Sequence, residues 1–219
     1  MSAPETLPAA HAQGGRKAEA ERNDRTVLNA AREVFFELGY DAPMSVIAER
    51  AGVGMGSLYR RYRSKEELVR RLCTVAMEGT LQAAERALAA EPDGWSALTR
   101  FMRESLTCGA GAMGRFAGAF PVTEEMVRLS ERGADAMQAL LDRAAAEGSL
   151  RPGVVTGDLV LILEILRTRF KTTPERADEL RLRYLAVLLD GLRHHGDPLP
   201  APGPTWTEIG ERWGPPGDA

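Results

Sequence analysis

The 219-residue chain has few cysteines, no long apolar run and almost no strand-like alternation. Its two cysteines, Cys73 and Cys108, do not suffice for a disulfide-rich secreted fold and fit a reducing compartment. The longest purely apolar runs, such as 159–163, are far shorter than the roughly 18 residues that cross a bilayer. The N-terminus lacks the basic-then-apolar pattern of a secretion signal. We therefore expect a cytoplasmic protein without membrane contact, with free thiols favoured over a disulfide.

Signatures of catalysis and of cofactor sites are also missing. The chain has no glycine-rich phosphate loop and no metal-binding spacing of side chains. Its three histidines, His11, His194 and His195, fall in a terminal stretch and at a predicted helix end. These absences predict a protein that is not an enzyme and that holds no metal or cofactor.

The sequence is organised around residues 44–62, MSVIAERAGVGMGSLYRRY. Its first part predicts a short helix over 45–51, with the Ser45 hydroxyl as cap of the first turn. A glycine-rich turn follows, in which Gly52 should adopt a positive φ that would strain a residue with a Cβ. The second part predicts another short helix over 55–62. Two helices joined by such a turn form a helix-turn-helix, whose second helix enters the major groove of DNA.

Positive charge is concentrated at this motif. Residues 50–71 carry seven basic and two acidic side chains, whereas the whole chain has a formal net charge of −3. In the second helix Leu58 should be buried, while small and polar groups near its start let a backbone approach base edges, and a phenol and several cations grip phosphates. The pattern predicts binding to double-stranded DNA. The alternative is a solvated charged face on an ordinary helical hairpin.

Residues 27–72, about a fifth of the chain, resemble the N-terminal DNA-binding domain of the TetR family of bacterial transcriptional regulators. The matching residues are Ala30, Ala31 and Phe35 on a first helix, Gly39 and Tyr40 at its end, Ile47, Ala48, Ala51, Gly52 and Val53 around the second, and Gly56, Ser57, Leu58, Tyr59, Tyr62, Ser64, Lys65, Glu66 and Leu68 after it.

The resemblance implies an all-α fold, with an N-terminal three-helix helix-turn-helix DNA-binding domain joined by a long helix to a C-terminal helical domain for ligand binding and dimerisation. It also implies a sequence-specific regulator, most often a repressor that a small-molecule effector releases from operator DNA. The DNA contacts expected on this basis are Ser45, Gly54, Met55, Gly56, Ser57, Tyr59, Arg60, Arg61 and Lys65.

Three positions depart from the family pattern. Gly54 stands where a Ser or Thr hydroxyl is common, Arg61 where His is common, and Arg63 where Pro or a small residue is common. Because both arginines add positive charge, phosphate affinity should be kept, but the operator sequence is not predicted. Gly54 also leaves open a different class of protein, which sequesters a small molecule and no longer reads DNA.

The composition divides the chain into a disordered N-terminal arm (1–21), a helix-turn-helix domain (22–74), a helical effector-binding and dimerisation domain (75–195) and a Pro/Gly-rich tail (196–219). The arm has no apolar period. It is either a solvated tail or, through Arg16 and Lys17, an arm that reaches the minor groove. In the C-terminal tail, Trp206, Ile209 and Trp213 can form one amphipathic turn, and the sequence does not decide whether this turn docks on the body or stays free.

Apolar residues at three- and four-residue steps predict a first helix over 24–38 and a long helix over 65–90. The first helix has Val27, Leu28, Ala31, Val34, Phe35 and Leu38 on one face. Ser64 should cap the long helix, whose acidic first turn suits the helix dipole. This long helix joins the DNA-binding domain to the rest of the chain and can transmit movement.

Beyond residue 71 the net charge changes sign, from about +2 over 1–71 to about −5 over 72–219, so this part should not bind nucleic acid itself. Large apolar side chains lie next to a glycine-rich stretch, 109–119, as a small-molecule site requires, although each of them alone fits an ordinary core. The candidate ligand-binding residues are Trp95, Phe101, Met102, Met113, Phe116, Phe120, Met126 and Met137, with Arg103, Glu104, Arg115 and Glu164 as polar candidates.

Two C-terminal helices carry more apolar surface than one core-facing side requires. Residues 157–170 are apolar nearly all the way round, and the helix predicted from Thr173 to Arg193 has a widened leucine stripe. This surplus predicts a homodimer through a four-helix bundle, as two DNA half-sites would demand; the alternative is an internal helix pair in a monomer. The candidate dimer contacts are Leu161, Ile165, Leu182, Leu185, Leu189 and Leu192.

Overall fold

The computed structural model describes residues 9–108, 116, 118–168, 170–193, 197 and 199–211. These residues form helices and no strand, which confirms the all-α prediction. The helices are α1 (Ala9–Leu38), α2 (Met44–Ala51), α3 (Met55–Arg61), α4 (Lys65–Ala90), α5 (Gly94–Cys108), α6 (Glu124–Ala146), α7 (Thr156–Leu166), α8 (Pro174–Leu192) and α9 (Trp206–Glu211). None of the helices in these ranges is long and apolar enough to cross a membrane.

The chain divides into two compact units, Met1–Leu68 and Val69–Ala219, with the division inside α4. In the first unit α1 packs on α2, which contacts α3. Phe35 of α1, Ile47 of α2 and Leu58 of α3 are all fully buried, so the three helices share one apolar core. Full burial of each such side chain contributes roughly 1.5–3 kcal/mol.

Helix α1 differs from the prediction at both ends. It begins earlier in the chain than predicted, and its last residue is more exposed than predicted. The helix begins at Ala9 rather than at residue 24, so residues 9–21 are not a disordered arm; residues 1–8 lie outside the described residues. The stretch 16–22 consists of Ala, Glu, Arg and Lys, which favour a helix without an apolar face. At the other end Leu38, predicted on the core face, is 57% exposed, because α1 ends there and Gly39 turns the chain at φ 84°.

The turn between α2 and α3 confirms one prediction and corrects another. Gly52 has φ 66° and closes α2 as predicted, with its N–H donating to the Glu49 carbonyl at 3.0 Å. The N-cap of α2, however, is Pro43, which makes no side-chain cap. Ser45 lies inside the first turn and is exposed, because the helix begins one residue earlier, at the buried Met44.

Three later helices begin at hydroxyl residues. At α4 the Ser64 hydroxyl accepts from the Glu67 N–H at 3.2 Å, as predicted. At α8 the Thr173 hydroxyl accepts from the Arg176 N–H, at the predicted start of this helix. At α6 the cap is Thr123, whose hydroxyl accepts from the Met126 N–H, and the helix begins at Glu124.

In the second unit α5 packs against α6, α7 and α8 around a single apolar core. Phe101 and Met102 of α5 lie in that core with Leu140 of α6, Leu159 of α7 and Leu185 of α8, and all are buried. The start of α5 meets α6 at Gly94, where a Cβ would lie 2.5 Å from the backbone nitrogen of Ala144. Close backbone contact at this point therefore requires glycine.

Replacing Gly94 by Ala should destabilise the second unit by roughly 1–3 kcal/mol, since the new methyl must push α5 away from the α6 backbone. The measurement is urea unfolding followed by circular dichroism at one fixed protein concentration. Gly133→Ala is the matched control, because a Cβ at Gly133 of α6 meets nothing within 4 Å and alanine favours a helix. Equal unfolding midpoints for the two variants would show that α5 does not depend on the close contact.

Candidate nucleic-acid interface and apolar cavity

Helix α3 is held by two side chains and exposes the rest. Leu58 is 1% exposed and Tyr62, which follows the helix, is 4% exposed. The predicted DNA contacts Met55, Gly56, Ser57, Tyr59 and Arg60 are all exposed, as is Gly54 at the N-cap. Gly54 provides no side-chain cap, in agreement with the missing hydroxyl at that position. One face of α3 is thus open to a partner along its whole length.

The end of α3 is tied to α1 through one carboxylate. The Tyr62 hydroxyl donates to Asp24 Oδ1 at 2.5 Å, and Arg61 Nη1 lies 3.2 Å from the same oxygen. Arg61, predicted as a DNA contact, is therefore engaged within the chain and only partly exposed. No local sequence pattern indicates this role of Asp24, because Asp24 and Arg61 are 37 positions apart in the chain.

Lys65, also predicted as a DNA contact, holds the turn after α1 to the start of α4. Its Nζ donates to the Tyr40 carbonyl at 3.1 Å and lies 5.2 Å from the Tyr40 ring centroid. The Tyr40 hydroxyl in turn donates to Glu66 Oε1 at 3.3 Å. Burial, and then the Glu66 charge, raise the pKa of Tyr40, while hydrogen bonding, first from Ser64, lowers the pKa of Glu66.

The basic side chains near the motif differ in their engagement. Arg50 pairs with Glu37 at 2.8 Å and Glu33 at 3.3 Å, which raises its pKa. Arg60 and Arg63 are exposed and form no ion pair among the residues that the structure describes. The positive charge available to an external anion is therefore smaller than the sequence count indicates.

The second unit contains a cavity of about 590 Å³ between α4, α6, α7 and α9. Its lining is mostly apolar and includes the predicted ligand residues Met126 and Met137 and the polar candidate Glu164. The remaining lining residues in the described ranges are Met77, Thr80, Val122, Val127, Leu129, Ser130, Glu131, Gly133, Val160, Leu163, Trp206, Thr207, Ile209, Gly210 and Glu211.

Five predicted ligand residues do not line this cavity. Phe101 and Met102 pack in the α5–α8 core, and Trp95 lies against its edge, 5.5 Å from the Arg193 guanidinium. Phe116 and Phe120 are buried elsewhere. Met113 and Arg115 lie outside the described residues. Of the other polar candidates, Glu104 pairs with Arg86 and Arg100, and Arg103 is exposed on α5.

The sequence did not decide whether the C-terminal tail docks on the body. In the structure, α9 of this tail, within the segment 199–211, lines the cavity. Ile209 of α9 is buried, and Leu199 and Trp206 pack against the core. The segment closely approaches α7, since a Cβ at Gly157 would lie 2.6 Å from the Pro204 carbonyl oxygen. This part of the tail is therefore docked, as the amphipathic spacing of Trp206 and Ile209 allowed; Trp213 lies outside the described residues.

The candidate dimer residues fall into two groups. Leu185, Leu189 and Leu192 are buried in the core of their own chain, because this stripe of α8 packs on α5 and α7. Ile165 and Leu182 are 64% and 51% exposed, and Leu161 is half-buried. The structure adds Tyr184 and Val187 of α8 as large exposed side chains. The predicted stripe is thus divided between the internal core and the surface.

The described residues contain no group of three or more His, Cys, Asp or Glu side chains that could hold a metal ion. Cys73 is a free, buried thiol, and burial raises its pKa to about 12. A thiol with such a pKa carries almost no thiolate at neutral pH and is a poor nucleophile.

Two family models match the chain. The model for bacterial regulatory proteins of the tetR family matches residues 27–72. The model for the C-terminal domain of SbtR-like transcriptional regulators matches residues 93–194. The first match covers the helix-turn-helix and the second covers α5 to α8, so together they span both units.

Individual relatives agree with the family models. The chain is 39% identical over 72 residues to the HTH-type transcriptional regulator UidR of Escherichia coli K12, a match that covers 32% of the chain and 33% of UidR. The chain thus spans about one third of the length of the curated relatives it matches.

Solved structures match over most of the chain. The TetR transcriptional regulator SCO0520 of Streptomyces coelicolor is 28% identical, with 79% of this chain and 99% of that chain covered at a TM-score of 0.55. A TetR transcription regulatory protein of Mycobacterium vanbaalenii is 27% identical, with 81% and 98% covered at a TM-score of 0.52.

Replacing Glu208 by Gln should loosen α9 from the cavity. Glu208 Oε2 accepts from the Thr205 N–H at 2.7 Å and from its hydroxyl at 2.8 Å, and these bonds lower the pKa of Glu208. The bonds to the charged carboxylate therefore stabilise the cap above the usual glutamate pKa of about 4.3 and are lost as the pH falls through the lowered value. Hydrogen exchange measured by mass spectrometry should be faster in the α9 peptide of the variant at neutral pH and unchanged in α8. The difference from the original chain should shrink as the pH falls through the lowered pKa of Glu208, and equal α9 protection at neutral pH would contradict the capping role.

Proposed function

The chain belongs to the TetR family of bacterial regulatory proteins, and on that premise we propose that it is a cytoplasmic, homodimeric repressor that leaves its operator DNA when a small molecule fills the cavity. The observation that carries this proposal is the combination of an anchored helix-turn-helix with an exposed α3 and a separate apolar cavity in the second unit. We propose no catalytic role and no cofactor.

In this proposal α3 enters the major groove. The exposed Gly56 and Ser57 bring its first turn close to base edges, and Tyr59 and Arg60 contact the phosphate backbone. Arg61 and Lys65 act mainly from within the protein, since Arg61 pairs with Asp24 and Lys65 bonds the Tyr40 carbonyl. Because Lys65 has three donor hydrogens, it can also contact a phosphate while it bonds the Tyr40 carbonyl.

Two copies of the chain are needed for two half-sites, with recognition helices roughly 34 Å apart or a multiple of that. We place the dimer contact on the exposed apolar side chains of α7 and α8, centred on Ile165 and Leu182, with the half-buried Leu161 beside them. Large exposed apolar groups on adjacent helices are typical of a protein interface.

The effector acts by preferring the state that does not fit DNA. To move the population from 1:99 to 99:1, the effector must bind one state about 10⁴-fold more tightly, which is roughly 5.5 kcal/mol. Helix α4 carries the change in this proposal, because the same continuous helix begins at Lys65 and lines the cavity with Met77 and Thr80.

The first experiment is a mobility shift of the purified protein on the DNA upstream of its own gene, across a salt series. Specific, salt-dependent binding as a dimer supports the proposal. Binding no tighter than to random DNA points to a distant operator or to a protein that sequesters small molecules. The second interpretation agrees with Gly54, which lacks the hydroxyl common at the start of α3 in the family.

Replacing Arg60 by Ala should weaken binding to operator and random DNA by a similar factor. One lost phosphate contact should lower the slope of log affinity against log salt by about 0.9. Arg103→Ala on α5 is the control, since Arg103 is also an exposed arginine but lies in the second unit. A loss confined to one base position, or an unchanged salt slope, would contradict the phosphate role of Arg60.

Replacing Ile165 by Asp should shift the protein toward monomers, because a charge would be buried without a partner at the proposed contact. Sedimentation velocity at several concentrations measures the shift. Leu38→Asp is the control, since Leu38 is similarly exposed but lies outside the proposed interface. A dimer of unchanged affinity in Ile165→Asp would place the interface elsewhere.

A further inference from the structure

The apolar part of the cavity suits a flexible hydrophobic body. A volume of about 590 Å³ lies within the range of small-molecule sites. Three of its lining residues, Met77 of α4 and Met126 and Met137 of α6, are methionines, whose unbranched thioethers adapt to the shape of a ligand. Leu163 and Ile209 complete an apolar lining on the α7 and α9 sides.

The charged groups at this cavity have one sign. In the part of the chain that the structure describes, the charged lining residues are Glu131 of α6, Glu164 of α7 and Glu211 of α9. They come from three helices rather than from one helix face; Glu131 and Glu211 are exposed, and Glu164 is half-buried. Carboxylates beside a concave apolar wall produce a negative local potential that attracts cations and repels anions.

A second feature, independent of the carboxylates, favours the same charge. Trp206 lines the cavity from the first position of α9. The face of an indole ring attracts cations more strongly than that of any other aromatic side chain. The hydroxyls of Thr80, Ser130 and Thr207 also line the cavity and can bond a polar head group.

From these observations we infer that the cavity takes a cationic amphiphile, a ligand with an apolar body and a positively charged amine or quaternary ammonium head. The body lies among the methionines, and the head lies near Trp206 and the three carboxylates. This inference rests on the proposed function, since it names the effector class of that same site.

The test compares three ligands that share a decyl chain and differ only in the head group: decyltrimethylammonium, decanol and decyl sulfate. Displacement of the uncharged fluorescent probe N-phenyl-1-naphthylamine from the full-length protein, without DNA, ranks their affinities, and calorimetry checks the ranking. The ammonium ligand should bind about tenfold more tightly than decanol, as one additional favourable charge contact implies. Decyl sulfate should bind most weakly.

Variants then locate the preference. The double variant Glu131→Gln with Glu211→Gln should reduce the ammonium preference to about threefold or less while decanol affinity stays unchanged. Trp206→Leu keeps an apolar wall and should reduce the ammonium affinity more than the decanol affinity. Glu175→Gln on α8 is the control, because Glu175 is exposed and does not line the cavity. Thermal unfolding checks that each variant is folded.

Equal binding of the three ligands, a preference for decyl sulfate, or no binding of any of them would overturn the inference. A mobility shift with each ligand is scored separately, so that the two proposals can fail independently. If the ammonium ligand binds as expected and does not release DNA, the ligand class stands and the release mechanism fails. If the chain does not bind DNA at all, the ranking of the three ligands still decides the inference.

Discussion

Helix α3 is seven residues long, too short to be stable by itself in water, so the position of its exposed face depends on the contacts that hold the helix. Two buried side chains, Leu58 and Tyr62, fix it to the first unit. Asp24 fixes its end by accepting hydrogen bonds from both Tyr62 and Arg61. Helix α1 therefore positions α3 in addition to contributing to the apolar core. Disturbing this carboxylate would move the whole exposed face, although Asp24 itself need not touch DNA.

Hydrogen bonds also engage several of the basic side chains around the motif. Arg50, Arg61 and Lys65 each donate hydrogen bonds that connect different parts of the first unit. The exposed Arg60 and Arg63 remain for contacts with phosphates. Part of the basic charge of this helix-turn-helix is thus engaged in contacts between its own helices and turns. Counting lysines and arginines along the sequence thus overstates the charge that DNA would meet.

Local patterns predicted the features that depend on neighbours in sequence. The positive φ of Gly52, the burial of Leu58, the cap at Ser64 and the start of α8 after Thr173 are all present. The cavity could not be predicted in this way, because the core residue Phe101 and the cavity residue Met126 both lie on apolar faces of their helices. Likewise, the leucines of α8 form one stripe in sequence, and only the packing of α5 and α7 decides that Leu185 is internal while Leu182 is exposed. The features that the sequence did not predict thus depend on contacts between residues that are far apart in the chain.

The position of α9 along the chain has a consequence for biosynthesis. The first unit is complete once residue 68 has been made, and domains generally fold as units, from the N-terminal end, during translation. The cavity, in contrast, lacks its Trp206 and Ile209 wall until α9 has left the ribosome. On a nascent chain the helix-turn-helix can therefore form well before the sensor is finished. Under the proposed function, each molecule can therefore bind DNA before its effector site is complete.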